Sequence, residues 1–315
     1  MIAALIIAAG KRTHADSTGP GKTAGSIPAI KRIVMTFQRA GIERVVVVCD
    51  KDGDNAEKPA AYMNVVFLRP GNGRGALDYI KAGLAYLEEK CEAAIITHTD
   101  VPLFSAETVQ TLIRTEGQIR IPLFHGETGR PILIETKLFP EILSYSGEGG
   151  LFGAVDAIGI KPRYVEVGDK GVLANVDDEE GYAHLLAEYG LPDIRPAIRI
   201  RLVRDKAFYG PGAHQLINLI DESGSLREAC RQMGISYGKG RAIIFTMEQQ
   251  LGYPVIETQQ GGKAGGHSAI TEKGRGLMRD YSAFYTDAKK CLLELFDKHF
   301  HGYSRGDNRN SFERL

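Results

Sequence analysis

The sequence has few cysteines, and none of them stands in a metal-site spacing. The four are far apart, with no CxxC pair and no histidines at zinc-site intervals; they are Cys49, Cys91, Cys230 and Cys291. This spacing argues against both a disulfide framework and a structural zinc ion.

A long hydrophobic run is also absent. The longest apolar stretch is far shorter than the roughly 18 residues that a membrane span requires, and no basic segment followed by a cleavage site opens the chain. The 315 residues are 43% hydrophobic and 25% charged, which is ordinary for a soluble protein and enough for about two domains. We therefore expect a cytoplasmic protein.

The chain has no net charge, yet its charges are unevenly distributed. From residue 196 onward, 18 basic residues face 13 acidic ones, so this part is near +5 and the preceding part near −5. A basic domain joined to an acidic one is the pattern expected when only the basic domain meets nucleic acid.

The most distinctive local pattern is an apolar segment that runs into a loop rich in glycine and cations. Residues 2–8 have no polar side chain and no helical spacing, which predicts a strand buried on both faces of a parallel sheet. The loop combines glycines, which let backbone N–H groups approach a ligand, with cations that neutralise phosphate oxygens. Ser26 is the expected N-cap of the following helix, with Pro28 in its first turn. The pattern predicts a polyphosphate site; the alternative is an ordinary strand-turn-helix.

Strands and helices alternate along the first 195 residues. Buried strands are predicted at residues 44–49, 65–68 and 93–97, and a second glycine-rich loop at residues 69–75 leads into a helix. This alternation indicates an α/β fold with a Rossmann-like, mostly parallel sheet and a ligand crevice at the carboxyl ends of its strands.

Acidic and amide side chains are expected at the same edge. Asp100 follows a predicted strand, where a carboxylate can hold Mg²⁺ against phosphates. Further oxygen ligands are expected from Asn175 and Asp177. Each residue alone would more often belong to a turn or a helix N-cap, but two such positions on one edge favour a metal site.

Residues 1–190 resemble the molybdenum-cofactor nucleotidyltransferases of the MobA/MocA type. The shared motifs are LIIAAG at residues 5–10, Lys22, DVPL at 100–103, GRP before ILI at 129–134, and NVD at 175–177. Members of this family join a nucleoside monophosphate to a phosphorylated acceptor and release pyrophosphate.

The resemblance implies a set of functional residues. It implies Lys22 and Asp100 as catalytic residues, and Asp100, Asn175 and Asp177 as ligands of Mg²⁺. It also implies nucleotide contacts from Ala8, Ala9, Gly10, Lys11, Arg12, Lys22 and Gly73. The implied donor is CTP or GTP, the Ala-Ala-Gly opening being closer to the cytidylyl branch, and the implied acceptor is a molybdopterin-type cofactor.

The chain departs from the family pattern at several positions. Its first loop lacks the usual serine and Arg-Met-Gly, Arg130 replaces the histidine of Gly-His-Pro, Ala76 replaces a hydroxyl residue, and Asn175 replaces an aspartate. Two hypotheses therefore stay open. Either the domain transfers CMP or GMP, or the protein is a transcriptional regulator whose N-terminal domain only senses a nucleotide or cofactor.

The C-terminal part shows the pattern of a winged helix-turn-helix. Ser225 and Ser236 are predicted N-caps, with Glu228 completing a capping box and a glycine turn between the helices. Two short strands flank a glycine-rich loop that contains Lys263, as expected for a wing.

Residues 200–288 resemble the DNA-binding domain of ModE-type molybdate-responsive regulators. The shared motifs are GSL at 224–226, GISY at 234–237, GGKAGG at 261–266 and TEKG at 271–274. This implies binding to double-stranded DNA through Ser236, Tyr237, Lys239, Arg241 and Lys263. Gly238 and Gly240 in the recognition helix are each expected to weaken it by up to about 1 kcal/mol.

A final helix completes the predicted second domain. Apolar residues alternate at spacings of four and three, which predicts either a homodimer seam or packing on the same domain; they are Leu277, Tyr281, Phe284, Ala288, Cys291 and Leu295. We predict a transferase domain at residues 1–195, an α+β winged helix-turn-helix domain with a C-terminal dimerisation helix at 196–300, and a disordered tail at 301–315.

Overall fold

The computed structural model describes residues 1–9, 23–24, 27–50, 60, 63–71, 75–176, 178, 183–187, 194, 196–259 and 267–300. The chain divides into two compact units, Met1–Tyr189 and Gly190–Leu315. No helix in these described ranges is long and apolar enough to cross a membrane. The cytoplasmic location stays a prediction.

The first unit is built on an eight-stranded, mostly parallel sheet. Its strands pair in the order β10-β7-β9-β6-β1-β4-β5, with β8 on β7. The bounds are β1 Ile2–Ala8, β4 Arg44–Cys49, β5 Val65–Leu68, β6 Ala93–His98, β7 Ile119–Phe124, β8 Glu127–Thr128, β9 Ile132–Glu135 and β10 Arg163–Glu166; β2 Thr23–Ala24 and β3 Ile27–Pro28 form a separate pair. Strand β9 is antiparallel to both β6 and β7, whereas β1, β4, β5 and β6 run parallel.

Strand β1 lies in the middle of the sheet and is buried on both faces. Residues 3–7 are at most 1% exposed, because β4 and β6 pair with its two edges and helices cover both faces. The absence of polar residues from this segment is thereby explained, and the predicted α/β sheet is confirmed.

Helices cover both faces of the sheet. The helices of this unit whose two ends lie among the described residues are α1 Ala29–Arg39, α2 Ala76–Leu87, α3 Ala106–Arg114, α4 Phe139–Ser144 and α5 Gly150–Ile158; short 3₁₀ turns span Thr136–Leu138 and Lys170–Leu173. Ile33 and Phe37 of α1 join the core cluster that contains Ile6 of β1. On the other face α2 approaches closely, since a Cβ added at Gly83 would lie 2.3 Å from a methyl carbon of Leu5.

One predicted detail of the first helix is wrong. Helix α1 begins at Ala29 and its N-cap is Pro28, which has no capping side chain; the predicted cap, Ser26, lies outside the described residues. Gly41 follows the helix with φ +91°, the left-handed conformation that favours glycine after a helix end.

The described part of the second unit contains three helices, two strand pairs and one long helix. The bounds are β11 Leu202–Val203, β12 Ala207–Tyr209, α6 Pro211–Ser223, α7 Leu226–Gln232, α8 Tyr237–Leu251, β13 Ile256–Gln259, β14 His267–Ile270 and α9 Glu272–Phe300. Strand β11 is short, because its pairing with β12 starts only at Leu202 and the register shifts between Leu202 and Val203.

Helix α9 is buried only near its start. Tyr281 is 4% exposed and donates a hydrogen bond to the carbonyl oxygen of Ile200 at 3.0 Å. Further along, Phe284 and Leu295 are 54% and 55% exposed. Within a single chain, the predicted apolar seam is therefore solvent-exposed beyond Tyr281.

Candidate functional site

The ends of β1 and β6 lie side by side at the carboxyl edge of the sheet. Ile7 pairs with His98 in parallel register, and the N–H of Thr99 donates to the carbonyl oxygen of Ile7 at 3.1 Å. Ala8 pairs with Cys49, and Ala9 follows as a half-buried residue. The chain after β1 and the chain carrying Asp100 therefore leave the sheet from neighbouring positions.

Several predicted site residues lie outside the described residues. In the first unit these are Gly10, Lys11, Arg12, Lys22, Gly73 and Asp177, and in the second Lys263. Their roles stay predictions.

Asp100 lies against the segment that begins at Asn175. The N–H of Val176 donates a 2.8 Å hydrogen bond to the carbonyl oxygen of Asp100. Asn175 is exposed and Asp100 is half-buried. Two segments that are distant in the sequence, and that carry the side chains of Asp100 and Asn175, thus meet at this edge.

Asp169 fixes this arrangement and was not among the predicted site residues. Its carboxylate accepts hydrogen bonds from the N–H of Ser105 at 2.7 Å, the hydroxyl of Thr108 at 2.5 Å and the N–H of Gly171 at 3.0 Å. The side chain is buried, at 8% exposure. It therefore joins the loop after Asp100 to the turn that precedes Asn175. The sequence signal was only a Gly-Asp-Lys-Gly turn, which does not indicate these partners.

The same turn approaches the Asp100 loop very closely at Gly171. A Cβ added there would lie 2.4 Å from the carbonyl oxygen of Leu103, a contact that real Cβ atoms essentially never make. Glycine is therefore required at this position for the two loops to meet.

Arg130, a half-buried residue, brings a positive charge to this edge. The antiparallel register of β6 with β9 ends at Ile96–Ile132, and Arg130, two residues before Ile132, lies near enough to His98 for its charge to act on the imidazole. Its N–H donates to the carbonyl oxygen of Val172 at 2.9 Å. The guanidinium carbon lies 5.7 Å from the ring centroid of Phe152 in α5, a cation–π contact.

The electrostatics of the edge depend on this arginine. Burial, with the charge of Arg130 as the second cause, lowers the pKa of His98 to about 4, so that the imidazole is neutral at pH 7. Burial also lowers the pKa of Arg130, against the opposing effect of the Asp100 carboxylate. A guanidinium remains protonated in proteins, so Arg130 and not His98 provides positive charge here.

In the second unit, α7 and α8 form a capped helix-turn-helix. The Ser225 hydroxyl accepts from the N–H of Glu228 at 3.3 Å, and the Ser236 hydroxyl accepts from the N–H of Lys239 at 3.2 Å. Gly234, with φ +64°, makes the turn between the helices. The reciprocal half of the predicted capping box is wrong, because the Glu228 carboxylate accepts hydrogen bonds from Arg231 and Gln232 instead.

One face of α8 is exposed and cationic. Tyr237, Lys239 and Arg241 are all exposed, and the guanidinium of Arg227 lies over the Tyr237 ring at 5.5 Å. The β13–β14 hairpin follows, with Thr258 opposite Ser268. It docks on the end of α6, where the N–H of Ser268 donates to the Gly224 carbonyl at 2.8 Å.

The two glycines of α8 differ in their surroundings. A Cβ at Gly240 would lie 2.2 Å from Sγ of the buried Cys230 in α7, whereas nothing lies within 4 Å of a Cβ at Gly238. Close packing against Cys230 therefore explains why position 240 is a glycine, which sequence reasoning missed. No such contact explains the glycine at position 238.

Comparison with solved structures places the first unit in the nucleotidyltransferase fold class. Rv0371c from Mycobacterium tuberculosis H37Rv matches with a TM-score of 0.53 and 16% identity, over 59% of this chain and 97% of that one. A nucleotidyl transferase from Methanothermobacter thermautotroptrophicus matches with a TM-score of 0.51 and 17% identity, over 60% and 97%. Rv0371c has also been solved in complex with manganese, with a TM-score of 0.50 and 17% identity over 59% and 98%.

The family follows from the sequence match. The model of the MobA-like NTP transferase domain matches residues 4–161 of the 315-residue chain, which is half of its length. The chain therefore belongs to the MobA-like NTP transferase family.

Two curated relatives carry names related to molybdenum and to DNA. Molybdenum-pterin-binding protein MopB of Rhodobacter capsulatus is 34% identical over 109 residues, covering 35% of this chain and 40% of MopB. The DNA-binding transcriptional dual regulator ModE of Escherichia coli K12 is 30% identical over 95 residues, covering 30% of this chain and 36% of ModE. The match thus spans less than half the length of either relative.

Proposed function

We propose that the first unit transfers CMP or GMP from CTP or GTP to a molybdopterin-type acceptor, releasing pyrophosphate, and that the second unit binds DNA. Membership of the MobA-like family supports nucleotidyl transfer. The single observation that carries the proposal is the adjacency of the β1 and β6 ends, from which the glycine-rich loop and Asp100 emerge.

A divalent cation, taken here as Mg²⁺, fits the donor set. Asp100 and Asn175 supply carboxylate and amide oxygens, the ligand types that Mg²⁺ accepts beside substrate phosphates, and the Val176–Asp100 hydrogen bond holds their segments together. Asp177 would be the third ligand. When bound, the cation neutralises charge that develops on the transferring phosphate. The manganese complex of a similar fold supports a divalent ion.

The remaining proposed roles belong to the first loop. Backbone groups of Ala8, Ala9 and Gly10 would bind the nucleotide, with Gly73 from the second loop. Lys22, assisted by Lys11 and Arg12, would neutralise the β- and γ-phosphates and favour departure of pyrophosphate. An acceptor phosphate is already anionic, so the transfer needs no general base.

Pyrophosphate release from CTP or GTP in the presence of the pterin acceptor tests this proposal. Lys22→Ala and Asp100→Asn should each reduce the rate by at least about 100-fold, the scale at which a single charge-stabilising group acts. Matched controls are Lys31→Ala in α1 and Asp156→Asn in α5, because both residues are exposed. Equal rates for K22A and K31A would contradict the proposed contact of Lys22 with the β- and γ-phosphates.

The second candidate function is that of a regulator whose first unit binds a nucleotide or cofactor without transferring it. The likeness to ModE and the exposed cationic face of α8 favour it. A folded protein that binds CTP or GTP but releases no pyrophosphate with the acceptor would support this candidate against the enzyme.

For the second unit, we propose that α8 enters the major groove of double-stranded DNA. Tyr237, Lys239 and Arg241 would contact it from the exposed face, Ser236 from the helix start and Lys263 from the wing. The exposed apolar residues of α9 support a homodimer through this helix, with Phe284 and Leu295 at the seam. Sedimentation of wild type and of Phe284→Glu tests the dimer, and a concentration-independent monomer for the wild type would contradict it.

A further inference from the structure

Arg120 and Arg130 of the first unit both have buried guanidinium nitrogens, and their surroundings differ sharply. Arg120 is 8% exposed and is fully supported by protein groups. Its Nε donates to the Gly117 carbonyl at 2.6 Å, its Nη1 to the Leu112 carbonyl at 3.2 Å, and its Nη2 to Glu135 Oε1 at 3.2 Å. This is the arrangement of a structural arginine, whose hydrogen-bond donors are satisfied by the fold.

Arg130 lacks such support. Among the described residues, no acceptor makes a hydrogen bond with its buried Nη1 atom. A guanidinium has five N–H donors, and a buried donor without a partner destabilises the fold. The fold nevertheless retains this side chain, over the Phe152 ring and within the electrostatic reach of Asp100. An anionic ligand at this position would satisfy the donor.

The position of Arg130 indicates the kind of anion. It lies two residues before Ile132, where the pairing of β9 with β6 ends, on the edge where Asp100 and the Asn175 segment meet. Its backbone is held to Val172, which precedes that segment in the chain. Gly129 allows this approach, since a Cβ there would lie 2.6 Å from the Val172 side chain.

Resting on the proposed nucleotidyl transfer, we infer that Arg130 binds a phosphoryl oxygen of a substrate beside the divalent-cation site at Asp100. The planar fork of a guanidinium matches phosphate oxygens bidentately. A cation that cannot lose its proton also neutralises phosphate charge at any working pH. Arg130 is thus assigned as a substrate-binding residue at the position where the family pattern has a histidine.

The phosphoryl oxygen has two sources, the triphosphate of the nucleotide and the phosphate of the acceptor. Calorimetric titration with CTP or GTP and Mg²⁺ measures the affinity for the triphosphate. Titration with inorganic phosphate, on protein already saturated with nucleotide, measures the affinity of the site for the acceptor's phosphate. Arg130→Gln removes the charge, and Arg130→Lys keeps it without the fork. Arg120→Gln is the matched control for loss of a buried arginine.

We expect R130Q to weaken one of the two ligands by about 10- to 100-fold, the effect of one charge-assisted hydrogen bond. R130K should recover part of that loss, and R120Q should lower the melting temperature without changing either affinity. A loss for nucleotide identifies the triphosphate as the ligand, and a loss for phosphate alone identifies the acceptor. Unchanged affinities for both ligands in folded R130Q would overturn the inference.

Two further outcomes keep the inference separate from the proposed function. If the wild type binds no nucleotide but binds phosphate in an Arg130-dependent way, nucleotidyl transfer fails and the anion site stands. If neither Arg130 variant folds, a measurement on the wild type tests whether the anion site exists. Dilute phosphate, at a concentration too low for its general stabilising effect on proteins, should then raise the melting temperature relative to chloride at equal ionic strength, and the absence of stabilisation refutes the site.

Discussion

The backbone N–H of Val176 donates a 2.8 Å hydrogen bond to the carbonyl oxygen of Asp100, and this bond aligns two segments that are distant in the sequence. Asp169 supports the alignment by receiving hydrogen bonds from Ser105, Thr108 and Gly171. The candidate metal site thus depends on a residue that is not itself proposed as a ligand.

Asp169→Ala should destabilise the first unit and weaken nucleotide binding with Mg²⁺. The change leaves the N–H groups of Ser105 and Gly171 without their acceptor, which predicts a loss of about 2–4 kcal/mol in unfolding free energy. Urea unfolding and calorimetry measure the two effects. Asp156→Ala, at an exposed position of α5, should stay within about 0.5 kcal/mol of wild type. If D169A were as stable as D156A, the hydrogen bonds of Asp169 would not hold the loop after Asp100 to the turn before Asn175.

Two glycines in one turn provide a matched pair. Gly171→Ala places a Cβ 2.4 Å from the Leu103 carbonyl oxygen, and because a backbone atom cannot rotate away, one loop must shift. Gly168→Ala meets nothing within 4 Å. We expect G171A to lower the unfolding free energy by at least about 2 kcal/mol and G168A to leave it nearly unchanged. Similar urea midpoints for both variants would show that the loops are not in close contact.

The architecture of the sheet could be predicted from the sequence because its strands are short apolar runs separated by glycine-rich loops. Ile2–Ala8 is the clearest case, since a strand buried on both faces has no room for polar residues. The Ser225 and Ser236 caps were equally predictable, because each hydroxyl acts on an N–H group only three residues further along.

The contacts that shape the site could not be predicted in the same way. Asp169 reaches Ser105 and Thr108 across more than 60 residues, and Gly240 is explained only by Cys230 of the neighbouring helix. Neither pairing leaves a periodic signal. Arg130 was visible as a departure from a motif, but its burial and its proximity to Asp100 are properties of the folded sheet.

The glycines of the recognition helix should respond in opposite directions to alanine. Gly238→Ala adds helix propensity at an open site and should stabilise the second unit by up to about 1 kcal/mol. Gly240→Ala should destabilise it, because its Cβ would lie 2.2 Å from Cys230 Sγ. Adding Cys230→Ala to G240A removes the clashing sulfur and should restore part of the loss. Thermal unfolding of the four variants tests this, and additive effects of C230A and G240A would contradict the contact.

His214 should make the second unit less stable in acid. Its Nδ1 lies 2.9 Å from the Tyr209 hydroxyl and its Nε2 3.1 Å from the Ser282 hydroxyl. Burial lowers the pKa of His214, so the unfolded chain binds a proton more readily than the folded one. The stability contributed by His214 is therefore complete above pH of about 6.5 and is lost as the pH falls toward the folded pKa.

Urea unfolding at pH 7.5 and pH 5.0 measures this effect. The loss of stability between the two pH values should be smaller in His214→Gln than in wild type, because glutamine does not titrate. His184→Gln, at an exposed histidine of the first unit, should keep the wild-type pH dependence. An H214Q protein with the same loss as wild type would show that the burial of His214 does not contribute to it.

DNA binding by α8 should depend on its exposed cations. Lys239→Ala and Arg241→Ala remove charges from the face proposed to meet the duplex, and each should weaken binding by about tenfold and reduce the salt slope by about 1 if it contacts a phosphate. Lys290→Ala, at an exposed position of α9 that is not part of the proposed contact set, is the matched control for loss of one positive charge. Fluorescence anisotropy with duplex DNA between 50 and 200 mM salt, concentrations that span the usual sensitivity of phosphate contacts, measures all three variants. If K290A weakened binding as much as K239A and R241A do, DNA affinity would depend on the net charge of the protein and not on α8. Only a localised interface gives different effects for cations on different helices.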